Sequence, residues 1–167
     1  MIVNGSTLLQ AAPIKGMATE KHRSHGVSWG AGEAGYDIRI KQSILFSETD
    51  GRRVVAVQLP GEEPDFNDGR FALASTVERF QMPATLVGVV HDKSTWARRG
   101  LSVFNTVVEP GWKGHLTLEL VYHGDGELII PAGAGIAQML FHVLACPAEY
   151  GGKYSDQPDR PVHAIES

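Results

Sequence analysis

The sequence predicts a mostly β domain, a barrel or jelly-roll-like sandwich, and three observations carry that expectation. From Ala34 onward, short apolar runs recur and are separated by turn residues. Glycine and proline, at 19 and 9 of 167 residues, supply many chain reversals. Helix-like patterning is confined to the first thirty residues and a polar stretch over residues 94–99. The length suits one domain at roughly 100–200 residues per domain. Residues 1–30 read as an N-terminal segment of that domain and residues 149–167 as a mobile C-terminal arm.

Taken in order, Ser6 or Thr7 caps a short helix through Leu8, Leu9 and Gln10 that Pro13 interrupts. Tyr36, Ile38 and Ile40 alternate with Asp37 and Arg39, the period of a half-buried strand. Residues 54–59 form a second run, ended by Pro60, and the polar residues 61–69 read as an exposed loop. Further strands are expected at residues 71–73, 85–90 and 101–108. The clearest is residues 115–122, where Leu116, Leu118 and Leu120 share one face and Thr117, Glu119 and Val121 the other. Residues 128–130 and 136–144 follow, joined by a turn at Pro131-Ala132-Gly133. The arm is polar and rich in glycine and proline.

Composition excludes several classes. Hydrophobic residues at 43% and charged residues at 20% are ordinary for a globular chain that builds its own core. A net charge of −4 argues against a polynucleotide or membrane-surface binder. No apolar run approaches the ~20 residues of a membrane span, and the first ten residues lack the pattern of a signal peptide. The single cysteine, Cys146, cannot form an intramolecular disulfide and points to a reducing, cytoplasmic setting. It also lacks the Pro-Cys-Xaa-Xaa-Cys partner that zinc-dependent base deaminases use, so zinc is not expected. His22 and His25 are three apart without a completing ligand, and His115, His123 and His142 read as surface or satisfied core residues.

Four segments carry polar groups that a plain β sandwich does not need: residues 34–39, 91–100, 108–119 and 151–157. The second gathers Lys93, Arg98 and Arg99 with the hydroxyls of Ser94 and Thr95, which suits a phosphate but equally a solvated loop. Trp96 reads as a packing residue before a base-stacking one. Glu119 lies mid-strand in an apolar run, where a carboxylate is solvated, paired with a cation, or functional. Glu109 precedes Pro110-Gly111 and reads as a turn residue, as does the Pro-Ala-Gly-Ala-Gly stretch at 131–135. Lys153-Tyr154 is either a flexible end or part of an arm that closes over a ligand.

Together with Gly135-Ile136-Ala137-Gln138, these segments resemble, in order and spacing, the motifs of the trimeric dUTPase and dCTP deaminase superfamily over residues 30–157. Lys93-Ser94-Thr95-Trp96-Ala97-Arg98 is closest to the deaminase version of the second motif, and Gly152-Lys153-Tyr154 with Gln157 is similar to the C-terminal element. The resemblance implies a distorted dUTPase-like β-barrel and a homotrimer with active sites between subunits. It implies hydrolysis of dCTP to dUTP and ammonia without zinc, with Mg2+ accompanying the triphosphate. Glu119 then takes the general-base role, with Ser94 and Arg98 orienting water and base. Lys93, Thr95, Trp96, Ala97, Asn105, Glu109, Thr117, Leu118, Gln138, Tyr150, Lys153, Tyr154 and Gln157 match nucleotide contacts. The pyrophosphatase branch carries an aspartate where Glu109 stands and no glutamate at the Glu119 position, which favours deamination. Ser155-Asp156 departs from the family's arm and keeps dCMP, dCDP or a modified dCTP open as substrates. The alternatives are a dUTP pyrophosphatase, a bifunctional enzyme, and a catalytically silent nucleotide-binding regulator.

Overall fold

A computed structural model describes residues 1–166. In chain order its elements are β1 (Ile2–Val3), α1 (Gly5–Ala11), β2 (Lys21–Ser24), β3 (Val27–Ala31), β4 (Tyr36–Arg39), β5 (Ser43–Thr49), β6 (Arg52–Gln58) and β7 (Asp65–Asp68). There follow β8 (Phe71–Gln81), β9 (Leu86–Asp92), α2 (Ser94–Ala97), β10 (Leu101–Val103), β11 (Val107–Val108), β12 (Lys113–Tyr122), β13 (Leu128–Ile130) and β14 (Gly135–Val143). The expected mainly β architecture is what the chain adopts, with α1 and α2 as its helices among the described residues.

Three sheets wrap one core. The largest runs β11-β9-β14-β4-β3-β2, with β1 added against β14; a second is β10-β12-β8 and a third β13-β5-β6-β7. Ile38 of β4 and Ile40 just after it, Ile136, Met139 and Phe141 of β14, and Leu118 and Leu120 of β12 all reach 0% exposure. Burying each such side chain contributes about 1.5–3 kcal/mol.

Several local expectations need correction. The cap of α1 is Asn4, not Ser6 or Thr7, and its side chain makes no cap bond; it donates to the Glu33 carbonyl at 2.8 Å. Beyond α1 the N-terminal segment is a β2–β3 hairpin, reversed by His25 and Gly26 with φ of 51° and 76°. Paired positive φ values give the turn the twist that flanking strands require. The exposed stretch 61–69 contains β7, which pairs with β6 and keeps all its residues in solvent.

β8 is 11 residues long, where only its first three were expected. Ser75, Thr76 and Glu78 interrupt the apolar pattern, yet all are buried because each finds a partner. Gln42 donates to the Ser75 hydroxyl at 2.9 Å, Thr76 donates to the Glu78 carbonyl at 2.7 Å, and Arg39 donates backbone N–H and Nε to the Glu78 carboxylate at 2.8 Å each. Burial pushes the Glu78 carboxyl above the usual range, and Arg39 opposes that rise. Asp37 departs from its alternation for a similar reason. It is 5% exposed, takes a hydrogen bond from Ser28 at 2.9 Å, and is ion-paired with Lys93.

The expected single strand over 101–108 is two. β10 pairs with β12, then the chain crosses at residues 104–106 so that β11 joins β9 in another sheet. β12 carries a bulge between His115 and Thr117, which turns Thr117 inward to 8% exposure. Both irregularities flank Glu119.

Candidate active site

The principal cleft, about 610 Å³, opens where β12, the 104–109 crossover and the C-terminal arm meet. β8 supplies an apolar wall through Phe71 and Leu73, because Leu73 is the cross-strand partner of Glu119. Val107, Val108, Trp112 and Leu116 extend that wall. Glu119 lines the cleft from mid-strand. Its main chain is fixed: the carbonyl accepts from Phe104 N at 2.9 Å and the N–H donates to Asn105 Oδ1 at 3.2 Å. Its carboxyl is raised above the usual glutamate range, and burial is the cause. Of the three readings open from sequence, neither pairing with a cation nor full solvation describes it.

The edge of β12 beside Glu119 lacks a strand, and two side-chain amides cover it. Asn105 Nδ2 donates to the Thr117 carbonyl at 2.7 Å. Gln157 Oε1 accepts from Thr117 N at 3.3 Å and from its hydroxyl at 3.1 Å.

The arm lies along β12 rather than away from the body. Lys113 O accepts from Asp156 N at 2.9 Å, Gln157 O from His115 N at 3.1 Å, and Tyr154 O from the Trp112 indole at 2.7 Å. Tyr150 N donates to Pro110 O at 2.8 Å, which places both Tyr150 and Tyr154 on the cleft. Gly114 is needed here: its φ is 129°, and a Cβ would lie 2.5 Å from Gln157 N. Past Gln157, Val162 N donates to the Thr117 hydroxyl at 3.1 Å, and His163 lines the cleft.

The structure therefore brings together Asn105, Glu109, Thr117, Glu119, Tyr150, Tyr154 and Gln157. It does not bring the second motif or Gln138 to them. Ser94, Thr95, Ala97 and Arg98 stand exposed on α2, away from this cleft. Gln138 sits half-buried on β14, opposite Asp37 and His91 in the ladders. Lys153 is exposed and bonds the Ile165 carbonyl.

Three side chains expected at the nucleotide point elsewhere. Lys93 is buried and its ammonium is spent on Asp37, a pairing that a lysine leaving water requires. Trp96 is 3% exposed and its indole donates to the Gly135 carbonyl at 2.6 Å, so it packs the core. Leu118 is fully buried on the opposite face of β12. Each offers a ligand at most its backbone.

Sequence reasoning missed the walls at Phe71, Leu73 and Val162 and the imidazole of His163. Their presence follows from strand register and arm docking, for which the chain holds no local signal. The cleft's charged or titratable lining is Glu109, Glu119, Tyr150, Tyr154 and His163, with no Lys or Arg among the described residues. No group of three or more His, Cys, Asp or Glu placed to hold a metal occurs among the described residues. No described helix is long and apolar enough to cross a membrane.

The dCTP deaminase-like family profile matches residues 11–144. The dCTP deaminase of Stenotrophomonas maltophilia is 36% identical over 147 residues, covering 78% of this chain and 77% of its own length. That of Acinetobacter baumannii is 34% identical over 153 residues, covering 83% and 80%. Among solved structures, the EIAV dUTPase superposes with a TM-score of 0.51 at 17% identity, covering 86% of this chain and 93% of its own. The dUTPase of Staphylococcus bacteriophage 80alpha gives 0.53 at 15% identity, covering 84% and 94%. The structural likenesses show the dUTPase-like fold, and the profile and sequence matches establish that the chain belongs to the dCTP deaminase-like family.

Proposed function

We propose that the protein hydrolyses the 4-amino group of dCTP, yielding dUTP and ammonia, with Glu119 as general base. One observation carries the reading: a carboxylate without a cation partner, half-buried in an apolar cleft and raised in basicity by that burial. A base works best when its pKa approaches the working pH, and desolvation moves Glu119 in that direction. The ionised carboxylate takes a proton from water as the oxygen adds to C4. That addition moves the C4–N3 π pair onto N3. The proton then returns to the amino nitrogen as the exocyclic C4–N bond breaks and the N3 pair re-forms the ring double bond. The 4-hydroxyl proton passes to N3 to give uracil, and the carboxylate ends the turnover ionised.

The cleft of one chain is incomplete for such a substrate, since a triphosphate meets Glu109 and Glu119 there and neither lysine nor arginine. The same chain exposes Ser94, Arg98 and Arg99 elsewhere. Closed rotational assembly juxtaposes two different surface patches of identical chains. In this reading a homotrimer delivers α2 of one copy to the cleft of the next, where Ser94 and Arg98 orient water and nucleotide. Tyr150, Tyr154 and Gln157 of the arm enclose the base side, and the arm lifts and re-docks with each turnover. Magnesium belongs to the substrate, chelated by its phosphate oxygens. A cytoplasmic setting agrees with the single exposed Cys146.

Glu109, although longer than the aspartate of the pyrophosphatases, lines the same cleft and is the basis of a second reading, a water held against phosphorus with release of pyrophosphate. One assay decides. Purified protein is incubated with deoxycytidine and deoxyuridine mono-, di- and triphosphates plus magnesium, and ammonia and pyrophosphate are followed separately. Ammonia from dCTP without pyrophosphate is expected, and EDTA suppresses it until magnesium is restored. Pyrophosphate without ammonia overturns the proposal, and neither product moves the chain to the silent regulators.

A further inference from the structure

We infer that Asn105 is a positioning residue for Glu119, holding the β12 backbone on both sides of Leu118 by standing in for a missing strand. The inference rests on the reading of Glu119 as the base. β10 ends at Val103, and its last ladder contribution is Phe104 N donating to Glu119 O at 2.9 Å. The chain then leaves for another sheet, so the β12 edge over residues 117–119 faces the cleft without a partner strand. Asn105 sits at this departure. Its Nδ2 donates to Thr117 O at 2.7 Å and its Oδ1 accepts from Glu119 N at 3.2 Å. A carboxamide presents one donor and one acceptor in a plane, as a peptide group does, and so continues the ladder by one rung.

The rung matters because the other side of this stretch is irregular. The bulge between His115 and Thr117 interrupts the β8 ladder one residue before the segment that carries Glu119. A bulge and an open edge each remove ladder bonds that otherwise fix the backbone. A misplacement of ~1 Å at a reacting group costs on the order of 10² in rate. The side chain must be asparagine on chemical grounds: Asp lacks the donor, Ser carries donor and acceptor on a single oxygen that cannot span both backbone groups, and Gln is longer by a methylene. Both polar atoms of Asn105 are committed to β12, which separates it from the arm's Gln157, whose Oε1 accepts from the N–H and hydroxyl of Thr117 and makes no bond to Glu119. Asn105 therefore acts through Glu119 and not as the nucleotide contact expected from the sequence.

Two variants test this. In Asn105→Ala, kcat for ammonia release from dCTP falls about 10²-fold while KM stays within about threefold. Water then reaches the freed edge, the Glu119 carboxylate is better solvated, and the acid limb of the kcat profile moves to lower pH. In Asn105→Asp, a second carboxylate beside Glu119 moves that limb to higher pH. The groups facing Glu119 across the cleft are Glu109 on the β11–β12 turn and Tyr150, Tyr154 and His163 on the arm, and all remain unchanged in both variants. The Glu119 carboxyl is also titrated by 13C NMR in nucleotide-free protein, where the same opposite movements are expected. A higher KM with kcat retained would make Asn105 a substrate contact and overturn the inference. Loss of Tm with the Glu119 titration unmoved would reduce it to a structural role and overturn it too. If wild-type protein releases no ammonia, the deaminase reading fails, while the NMR titration still decides the link between Asn105 and Glu119.

Discussion

Replacing Glu119 with Gln removes the charge and the basicity but keeps the side chain's length and the two main-chain bonds to Phe104 and Asn105. General-base catalysis contributes about 10²–10⁴ in rate, or about 3–5 kcal/mol at the transition state. The remaining carboxylate of the cleft, Glu109, is exposed on the turn before β12, so it does not take over the water at C4 and the loss falls fully on kcat. In the proposed trimer the nucleotide is bound by the arm and by α2 of a neighbouring copy, so KM for dCTP is expected to stay near its wild-type value. Stability moves the other way. A carboxyl raised in the folded state favours the fold while protonated; that contribution is complete below the ordinary glutamate pKa and is lost as pH rises through the raised one. At neutral pH the wild-type chain carries a partly desolvated anion that Gln lacks. The variant's Tm therefore equals or exceeds wild type at pH 7, and the difference vanishes below about pH 4, under the ordinary glutamate value. Steady-state ammonia release and thermal melts across pH measure both. Wild-type deamination by Glu119→Gln would refute the base assignment, and a variant markedly less stable at pH 7 would refute the desolvation argument.

Lys93→Met strands the buried Asp37 carboxylate with only Ser28 for company and costs about 3–5 kcal/mol. At about 2–4 °C per kcal/mol for a chain of this size, Tm falls by roughly 6–20 °C, whereas a phosphate-contact role would raise KM and leave Tm alone. Mixing inactive Arg98→Ala with inactive Glu119→Gln and refolding them together restores about a quarter of the sites if each site joins two copies; no recovery would place Arg98 and Glu119 in one chain's site. Gly114→Ala sets a methyl against Gln157 at a φ of 129°, so the arm undocks, KM for dCTP rises, and limited proteolysis trims the arm faster than in wild type.

What the sequence revealed and what it hid divide along physical lines. Elements with a plain apolar pattern were legible: β12 lies where its alternation puts it, and β14 and β9 where short apolar runs put them. β5 was missed although Asp50-Gly51 marks a two-residue hairpin, with φ of 51° and 73° joining it to β6. Most of β8 was illegible because Ser75, Thr76 and Glu78 look solvent-facing until the distant Gln42 and Arg39 satisfy them. At the site, Glu119 stood out as a carboxylate in an apolar strand, and the docked arm explains the glycines and tyrosines read there. The cleft's apolar wall needed the pairing of Glu119 with Leu73, which is set by register between strands about forty-six residues apart. Asn105 could be placed only once the chain was seen to change sheets beside it.

The second motif shows how one short segment serves two needs. Residues 93–98 make one turn of helix, so Lys93 and Trp96, three apart, face the interior while Ser94, Thr95 and Arg98 face solvent. The inward pair locks α2 to the sheet: Trp96 bonds Gly135 on β14 and Lys93 bonds Asp37 on β4. A buried lysine in so cationic a sequence is tolerable because Asp37 neutralises it, and the neutralised pair leaves the outward guanidinium of Arg98 without an ion-pair partner in its own chain among the described residues. The cleft around Glu119 has the opposite imbalance, carboxylates without a cation. Two unneutralised patches of opposite sign on one chain attract across copies rather than within one. The nucleotide, anionic at its phosphates and electrophilic at C4, fits between them only when both are supplied. The buried pair at Lys93 thus fixes the helix, and in the proposed trimer the charge it does not cancel at Arg98 completes a neighbour's site.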